Sequence, residues 1–151
     1  MTVKVQAQDF DLSSEVGALR RAHPEAGAIT CFVGVVRDLN QGATVSELEL
    51  EHYPGMTEKA LQAIVDEAGQ RWSLADALVI HRYGKLAPTD QIVLVAVATR
   101  HRGDAFAACE FIMDYLKTAA PFWKKELTAE GARWVDARDT DTTALEKWAA
   151  K

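Results

Sequence analysis

Cysteine is scarce in this 151-residue chain: Cys31 and Cys109 stand far apart, with no Cys-x-x-Cys and no nearby pair of histidines. Such spacing gives no support to a zinc site or a redox pair, and both side chains are expected as buried, reduced thiols. Long apolar runs are also missing. Ala26–Val36 and Ile92–Ala98 are too short to cross a bilayer, and the opening Met-Thr-Val-Lys-Val-Gln-Ala-Gln-Asp lacks a signal peptide's apolar stretch, so the cytoplasm is the expected compartment. Positive charge is not in excess: 17 Lys and Arg against 22 Asp and Glu leave −5, which offers no global attraction to nucleic acid or anionic membrane. Any anion must therefore bind locally. Internal repeats, linkers and low-complexity tracts are absent, as are a Ser-His-Asp order, a Walker loop, a Rossmann glycine pattern and any spacing of acidic metal ligands.

What is present is an ordinary globular composition, 48% hydrophobic and 26% charged, in a length that buries a core without disulfide or metal staples. One domain over residues 1–151 is expected, its last stretch, 137–151, a polar tail carrying Trp148. A short apolar start at Val3–Val5 precedes a peripheral helix, capped by Ser13 or Ser14 and ended by His23-Pro24. Gly27–Val36 is apolar on both alternating sets and reads as a central strand covered on both faces, running into a polar loop at Arg37–Gly42. Val45–His52 sets Glu47, Glu49 and Glu51 against Leu48 and Leu50, a strand with one wet face. Met56, Ala60, Leu61, Ile64, Val65 and Ala68 form the stripe of an amphipathic helix. Leu78–Tyr83 and Gln91–Thr99 read as a hairpin. A third helix from Gly103-Asp104 is expected to bury Phe106, Cys109, Met113 and Leu116 before Pro121, and a last strand covers Arg133–Ala137. Strands and helices mix without strict alternation, which favours an α+β domain.

Three places can carry chemistry. Arg100-His101-Arg102-Gly103-Asp104 leaves a strand and opens a helix, where free N–H groups and the dipole's positive end meet basic side chains and suit phosphate. Taken alone, a charged strand end is more often plain surface. In Asp114-Tyr115-Leu116-Lys117-Thr118-Ala119-Ala120-Pro121-Phe122-Trp123-Lys124-Lys125-Glu126, two lysines seven apart flank a proline that removes a helical hydrogen bond. Amines held near aromatics and other cations lose charge and become able to take protons or attack, although lysine pairs on a solvated face are common. Third, Gly34-Val35-Val36-Arg37 ends a strand with a small residue and an arginine that can clamp an oxyanion. His81-Arg82 and His52-Tyr53 are further polar marks, read as structural.

Phe32–Asp38, Leu50–Leu61, Ile80–Leu86, His101–Phe106, Phe111–Lys117, Ala120–Glu126 and Gly131–Val135 together resemble the catalytic large subunit of molybdopterin synthase, in order and across most of the chain. The resemblance implies an α/β hammerhead-type fold with a mixed or antiparallel sheet and packed helices. It also implies a homodimer of large subunits within a heterotetramer, with a small ubiquitin-like sulfur carrier at each outer end. The carrier's C-terminal Gly-Gly thiocarboxylate would give two sulfurs to cyclic pyranopterin monophosphate, with no metal or organic cofactor. Residue by residue, the resemblance places Lys117 beside the thiocarboxylate and Lys124 as a second lysine in the acid–base steps. It gives Arg37, His101 and Arg102 to the substrate's phosphate, backbone contacts to Val35 and Val36, and the far wall to Lys125 and Glu126. A rival reading is a non-catalytic module that receives a partner's flexible tail, which has no need of the lysine pair; a small phosphoester-handling enzyme fits least, for want of metal ligands.

Overall fold

The computed structural model describes residues 1–135 and 139–149. Its elements run β1 (Thr2–Gln6), α1 (Leu12–Ala22), β2 (Ala28–Val35), β3 (Leu39–Asn40), β4 (Ala43–His52), α2 (Met56–Arg71), β5 (Leu74–Arg82), β6 (Gly84–Leu86), β7 (Gln91–Thr99), α3 (Arg102–Ala119), β8 (Phe122–Thr128), β9 (Gly131–Val135) and α4 (Asp139–Ala149).

The strands make two sheets. The first has the order β1-β5-β7-β2 and is mixed, with β1 parallel to β5 and the remaining pairs antiparallel. The second runs β3-β4-β8-β9, all antiparallel, with the short β6 also paired to β4. The expected α+β architecture is therefore present, and β5 and β7 are the expected antiparallel neighbours.

The strand covered on both faces is β7, not β2. One face of β5 and β7, with Val79, Val93, Val95 and Val97, packs against Leu61, Val65 and Ala68 of α2 and Phe111 and Ile112 of α3. The other face, with Leu78, Ile80, Leu94 and Ala96, packs against Phe10 and Leu19. Both β2 and β7 are apolar, but β2 ends the sheet and leaves Cys31, Phe32 and Val35 exposed. The buried thiol expected at Cys31 is thus exposed, while Cys109 is buried and desolvation pushes its thiol up to about 11.

Local chemistry sets the element ends. Asp11, rather than a serine, caps α1 by accepting from the Ser14 N–H at 2.9 Å. The expected loop at Arg37–Gly42 folds back as the β3–β4 hairpin, whose two turn residues, Gln41 and Gly42, both have positive φ, the geometry that matches strand twist. At the start of α2 the buried Thr57 hydroxyl accepts from the Tyr53 N–H at 3.0 Å and donates to the Pro121 carbonyl at 3.1 Å, tying that helix to the entrance of β8. Two residues sit outside their expected stripes: Met56 and Phe106 are 56% and 61% exposed.

The expected polar tail is a helix. Trp148 on α4 is buried, meets Trp72 and Phe111 edge-on, and donates its indole N–H to Asp114 at 2.7 Å. Lys147 pairs with Glu110 and Asp114, and Arg71 donates to the Trp148 carbonyl at 3.0 Å. The parts of the tail and of the last expected strand at 136–138, 150 and 151 lie outside the described residues.

Candidate active site

Where the two sheets and the end of α3 meet there is a cavity of about 600 Å³, within the range of small-molecule sites. Three segments build it. The strand exit from β2 supplies Val35, Val36 and Arg37, the last turn of α3 supplies Lys117 and Thr118, and the inward face of β8 supplies Phe122, Lys124 and Glu126.

The β2 exit depends on its glycine. A Cβ on Gly34 would come within 2.8 Å of a Val93 methyl, and the pairing with β7 slips between Gly34 and Val35. Such a bulge bends the strand and re-aims the residues beyond it. Val36 is then pinned by the bond from its N–H to the Asp90 carbonyl and by its own carbonyl accepting from Thr89 N–H, and Arg37 emerges at the cavity rim. Arg37 donates to the Asn40 side-chain oxygen at 3.1 Å, and the Asn40 amide donates to both Glu126 oxygens at 3.0 and 3.1 Å. Arg133 completes the chain, 3.3 Å from Glu126 and donating to the Asn40 carbonyl at 2.8 Å. Buried Glu126 therefore fastens the β3–β4 hairpin to β8 and β9 and orients Arg37 through Asn40.

Lys117 and Lys124 come together by a route different from a shared helix face. Helix α3 ends at Ala119, and Pro121 precedes the strand that carries Lys124, so one amine rides the helix end and the other the strand. Burial is the largest cause that pushes Lys124 down, to about 8, and the neighbouring Lys117 charge adds to it against the opposing charges of Asp141 and Glu126. An amine with that value exchanges its proton near neutral pH.

His81, read from sequence as structural, belongs to this cavity. Its ring stacks on Phe122 with centroids 3.7 Å apart, and Nδ1 lies 2.8 Å from the Arg82 carbonyl. Desolvation takes its value down to about 3, against the bond to Arg82, and the charges of Lys124 and Lys117 push the same way, so the ring is neutral. The signal available in sequence was a lone imidazole inside the apolar run of β5. Thr118, Asn40 and Asp141 also line the cavity, and the Thr118 hydroxyl is the one buried side-chain polar atom without a partner among the described residues.

Three expected site residues stand elsewhere in the chain. Lys125 alternates to the outer face of β8, over the Trp134 ring at 5.5 Å. His101 and Arg102 are exposed at the start of α3, and 15 residues of helix put Arg102 about 22 Å from Lys117. Among the described residues, no group of three or more His, Cys, Asp or Glu could hold a metal.

Residues 5–119 match the family described as MoaE protein. A molybdopterin synthase catalytic subunit from Ralstonia nicotianae is 70% identical over 147 residues, covering 97% of this chain and 84% of that one. Among solved structures, the molybdopterin biosynthesis MoaE protein from Burkholderia ambifaria shares 60% identity with a TM-score of 0.83, covering 99% of each chain. Molybdopterin synthase from Staphylococcus aureus shares 32% identity with a TM-score of 0.79, over 87% of this chain and 95% of that one. Sequence over nearly the whole length and fold agree, and the chain belongs to the MoaE family of molybdopterin synthase catalytic subunits.

Proposed function

We propose that this chain transfers two sulfurs, in successive rounds, from the C-terminal thiocarboxylate of a small ubiquitin-like carrier subunit to cyclic pyranopterin monophosphate, forming the molybdopterin dithiolene, with Lys117 and Lys124 as its catalytic residues. The observation that carries this reading is the amine pair in a ligand-sized cavity, one exposed at the helix end and the other half-buried and pushed down to about 8 by desolvation.

The thiocarboxylate is already an anion, so no group has to create the nucleophile. An ammonium on Lys117 orients it and offsets charge on the acyl carbon, holding sulfur and pterin carbon together as if in one molecule. Carbon–sulfur bond formation expels an oxygen from the pterin side chain, which takes up a proton and leaves as water or stays on the phosphate whose ester bond has opened, and it leaves a thioester to the carrier. Water then cleaves that thioester, returning a carboxylate to the carrier and keeping sulfur on the pterin. Lys124, whose value of about 8 leaves about a tenth of it neutral at pH 7, is the base for that water's proton. Arg37 keeps N–H donors beyond the one spent on Asn40 and supplies an anion contact at the rim, beside Val35 and Val36, while Glu126 holds the wall.

His101 and Arg102 join this site only from a second copy, given the helix length between them and Lys117. The open edge at β2 supports that homodimer: Phe32 and Val35 on the edge strand and Phe106 on the neighbouring α3 are large apolar side chains left in solvent. No helix among the described residues is long and apolar enough to cross a membrane, and we place the chain in the cytoplasm.

The test is single-turnover conversion of the pterin with thiocarboxylated carrier. Lys117→Ala is expected to slow it by about 100-fold or more while carrier binding changes only a few-fold. A normal rate in that variant removes Lys117 from the reaction and returns the cavity to a mere receptor for the carrier's tail.

A further inference from the structure

The cavity is rich in donors and poor in acceptors. Lys117, Lys124 and Arg37 can only donate, both oxygens of Glu126 are taken by Asn40, with Arg133 on one of them, and the charge of Asp141 acts on Lys124. A fused nitrogen heterocycle, by contrast, brings N–H groups of its own, which must find acceptors once buried. One polar atom of the cavity lining has no role in the sulfur-transfer steps: the second ring nitrogen of His81.

The tautomer of His81 is set by its partner. A carbonyl accepts and cannot donate, so the 2.8 Å contact to Arg82 puts the proton on Nδ1 and, in a neutral ring, leaves a lone pair on Nε2. The charged groups that face it are Lys124 on β8 and Lys117 on α3, and His52 on β4 adds to them, so each neighbour opposes a second proton. Stacking on Phe122 holds the ring plane, and the side chain is 3% exposed, so the acceptor is fixed before any ligand arrives. Phe122 and Lys124 project from the same face of β8, which sets this acceptor beside the amine that handles the proton.

We propose that His81 reads the substrate: its Nε2 accepts a hydrogen bond from a ring N–H of the pterin. This rests on the proposed sulfur-transfer reaction and adds to it the residue that selects a nitrogen heterocycle over another phosphorylated ring. An imidazolium could not do this, which gives a reason for a histidine kept neutral between two lysines.

The experiment is calorimetric titration of cyclic pyranopterin monophosphate, and separately of the carrier with its ordinary carboxylate tail, into the full chain and its variants. His81→Phe keeps a ring against Phe122 and deletes the acceptor; it is expected to weaken pterin binding about tenfold and carrier binding less than twofold. His81→Gln, which offers an amide oxygen, is expected to keep most of the affinity, and it decides the matter where His81→Phe fails to fold: a loss as large as tenfold in that folded variant overturns the proposal. Unchanged pterin affinity in His81→Phe, or equal losses of pterin and carrier, overturns it as well. A wild-type chain that binds the pterin in this titration but does not convert it when supplied with thiocarboxylated carrier sinks the sulfur-transfer reading and leaves this contact standing; one that binds no pterin overturns both.

Discussion

At its first turn helix α3 holds His101 and Arg102 in open solvent, and at its last turn it presents Lys117 and Thr118 to a cavity walled by β2, β8 and α4. The two ends carry comparable positive charge, yet the environments differ. Beside Lys117 stand the desolvated amine of Lys124, the neutral imidazole of His81 and the buried carboxylate of Glu126, so on Lys124 charge is costly and the proton is readily given up. Around Arg102 water screens the charge, which serves to attract an anion and is unsuited to moving a proton. The lesson is that what surrounds a basic group decides how readily its proton moves. In this fold α4 and β8 do the burying at one end only.

Removing that cover is the largest perturbation. Trp148 anchors α4 through its edge contacts to Trp72 and Phe111 and its bond to Asp114. Trp148→Ala is expected to destabilise the fold by about 3–5 kcal/mol, read by denaturant unfolding, because a buried indole leaves a cavity and Asp114 loses the indole N–H. It should also make the C-terminal end of α3 resemble its start, with the Lys124 amine moving up toward an ordinary lysine value as water enters. Loss of less than about 1 kcal/mol would mean that α4 does not cover the site.

A second contrast sits on Lys124 itself, where the needs of chemistry and of folding oppose each other. Its folded value of about 8 lies below the ordinary 10.5, so between those pH values the unfolded chain holds a proton that the folded chain has released. More protons on the unfolded state means that this group's contribution to stability rises with pH across that window, and below pH 8 the full penalty of burying the ammonium applies. Lys124→Met is expected to stabilise the protein at pH 7 by roughly 1–3 kcal/mol, the gain fading above pH 10, while single-turnover conversion falls about 100-fold. A variant both active and no more stable would place Lys124 in a wet, ordinary setting.

Much of this was legible in the residues before the fold was known, and the gaps have physical causes. Alternation of glutamates and leucines marks β4, the apolar stripe marks most of α2, and the lysines around Pro121 point to the cavity that both of them line, because each signal is local. Whether β2 or β7 lies at the centre of the sheet is not local: both are apolar, and pairing partners far along the chain decide it. Phe106 fits the helical period, but the buried stripe of α3 centres on Ala105, Ala108, Cys109 and Ile112, leaving Phe106 to the open side. Asp139–Ala149 begins with Asp-Thr-Asp-Thr-Thr and has one large aromatic, too weak a stripe to announce a helix that docking makes stable. An imidazole in a strand is ordinarily a satisfied structural group, so sequence does not single out His81; its place on the cavity wall, with one ring nitrogen held by the Arg82 carbonyl, does.

The smallest expected effect bears directly on the two ends of α3. Arg102→Ala leaves the cavity untouched, so carrier binding should hold while affinity for the phosphorylated pterin drops about tenfold or less, and more at low salt than at high. Equal losses of pterin and carrier would count against a phosphate role. Because Arg102 and Lys117 of one chain are about 22 Å apart, their cooperation on one substrate requires two copies. Mixing Arg102→Ala chains with Lys117→Ala chains then regenerates one complete site in each mixed dimer, whose other site carries both defects. With random exchange half of the dimers are mixed, so roughly a quarter of wild-type sites return. Turnover no greater than the sum of the two separate variants would show that each chain works with its own residues alone, and that the exposed end of α3 serves something other than this pterin.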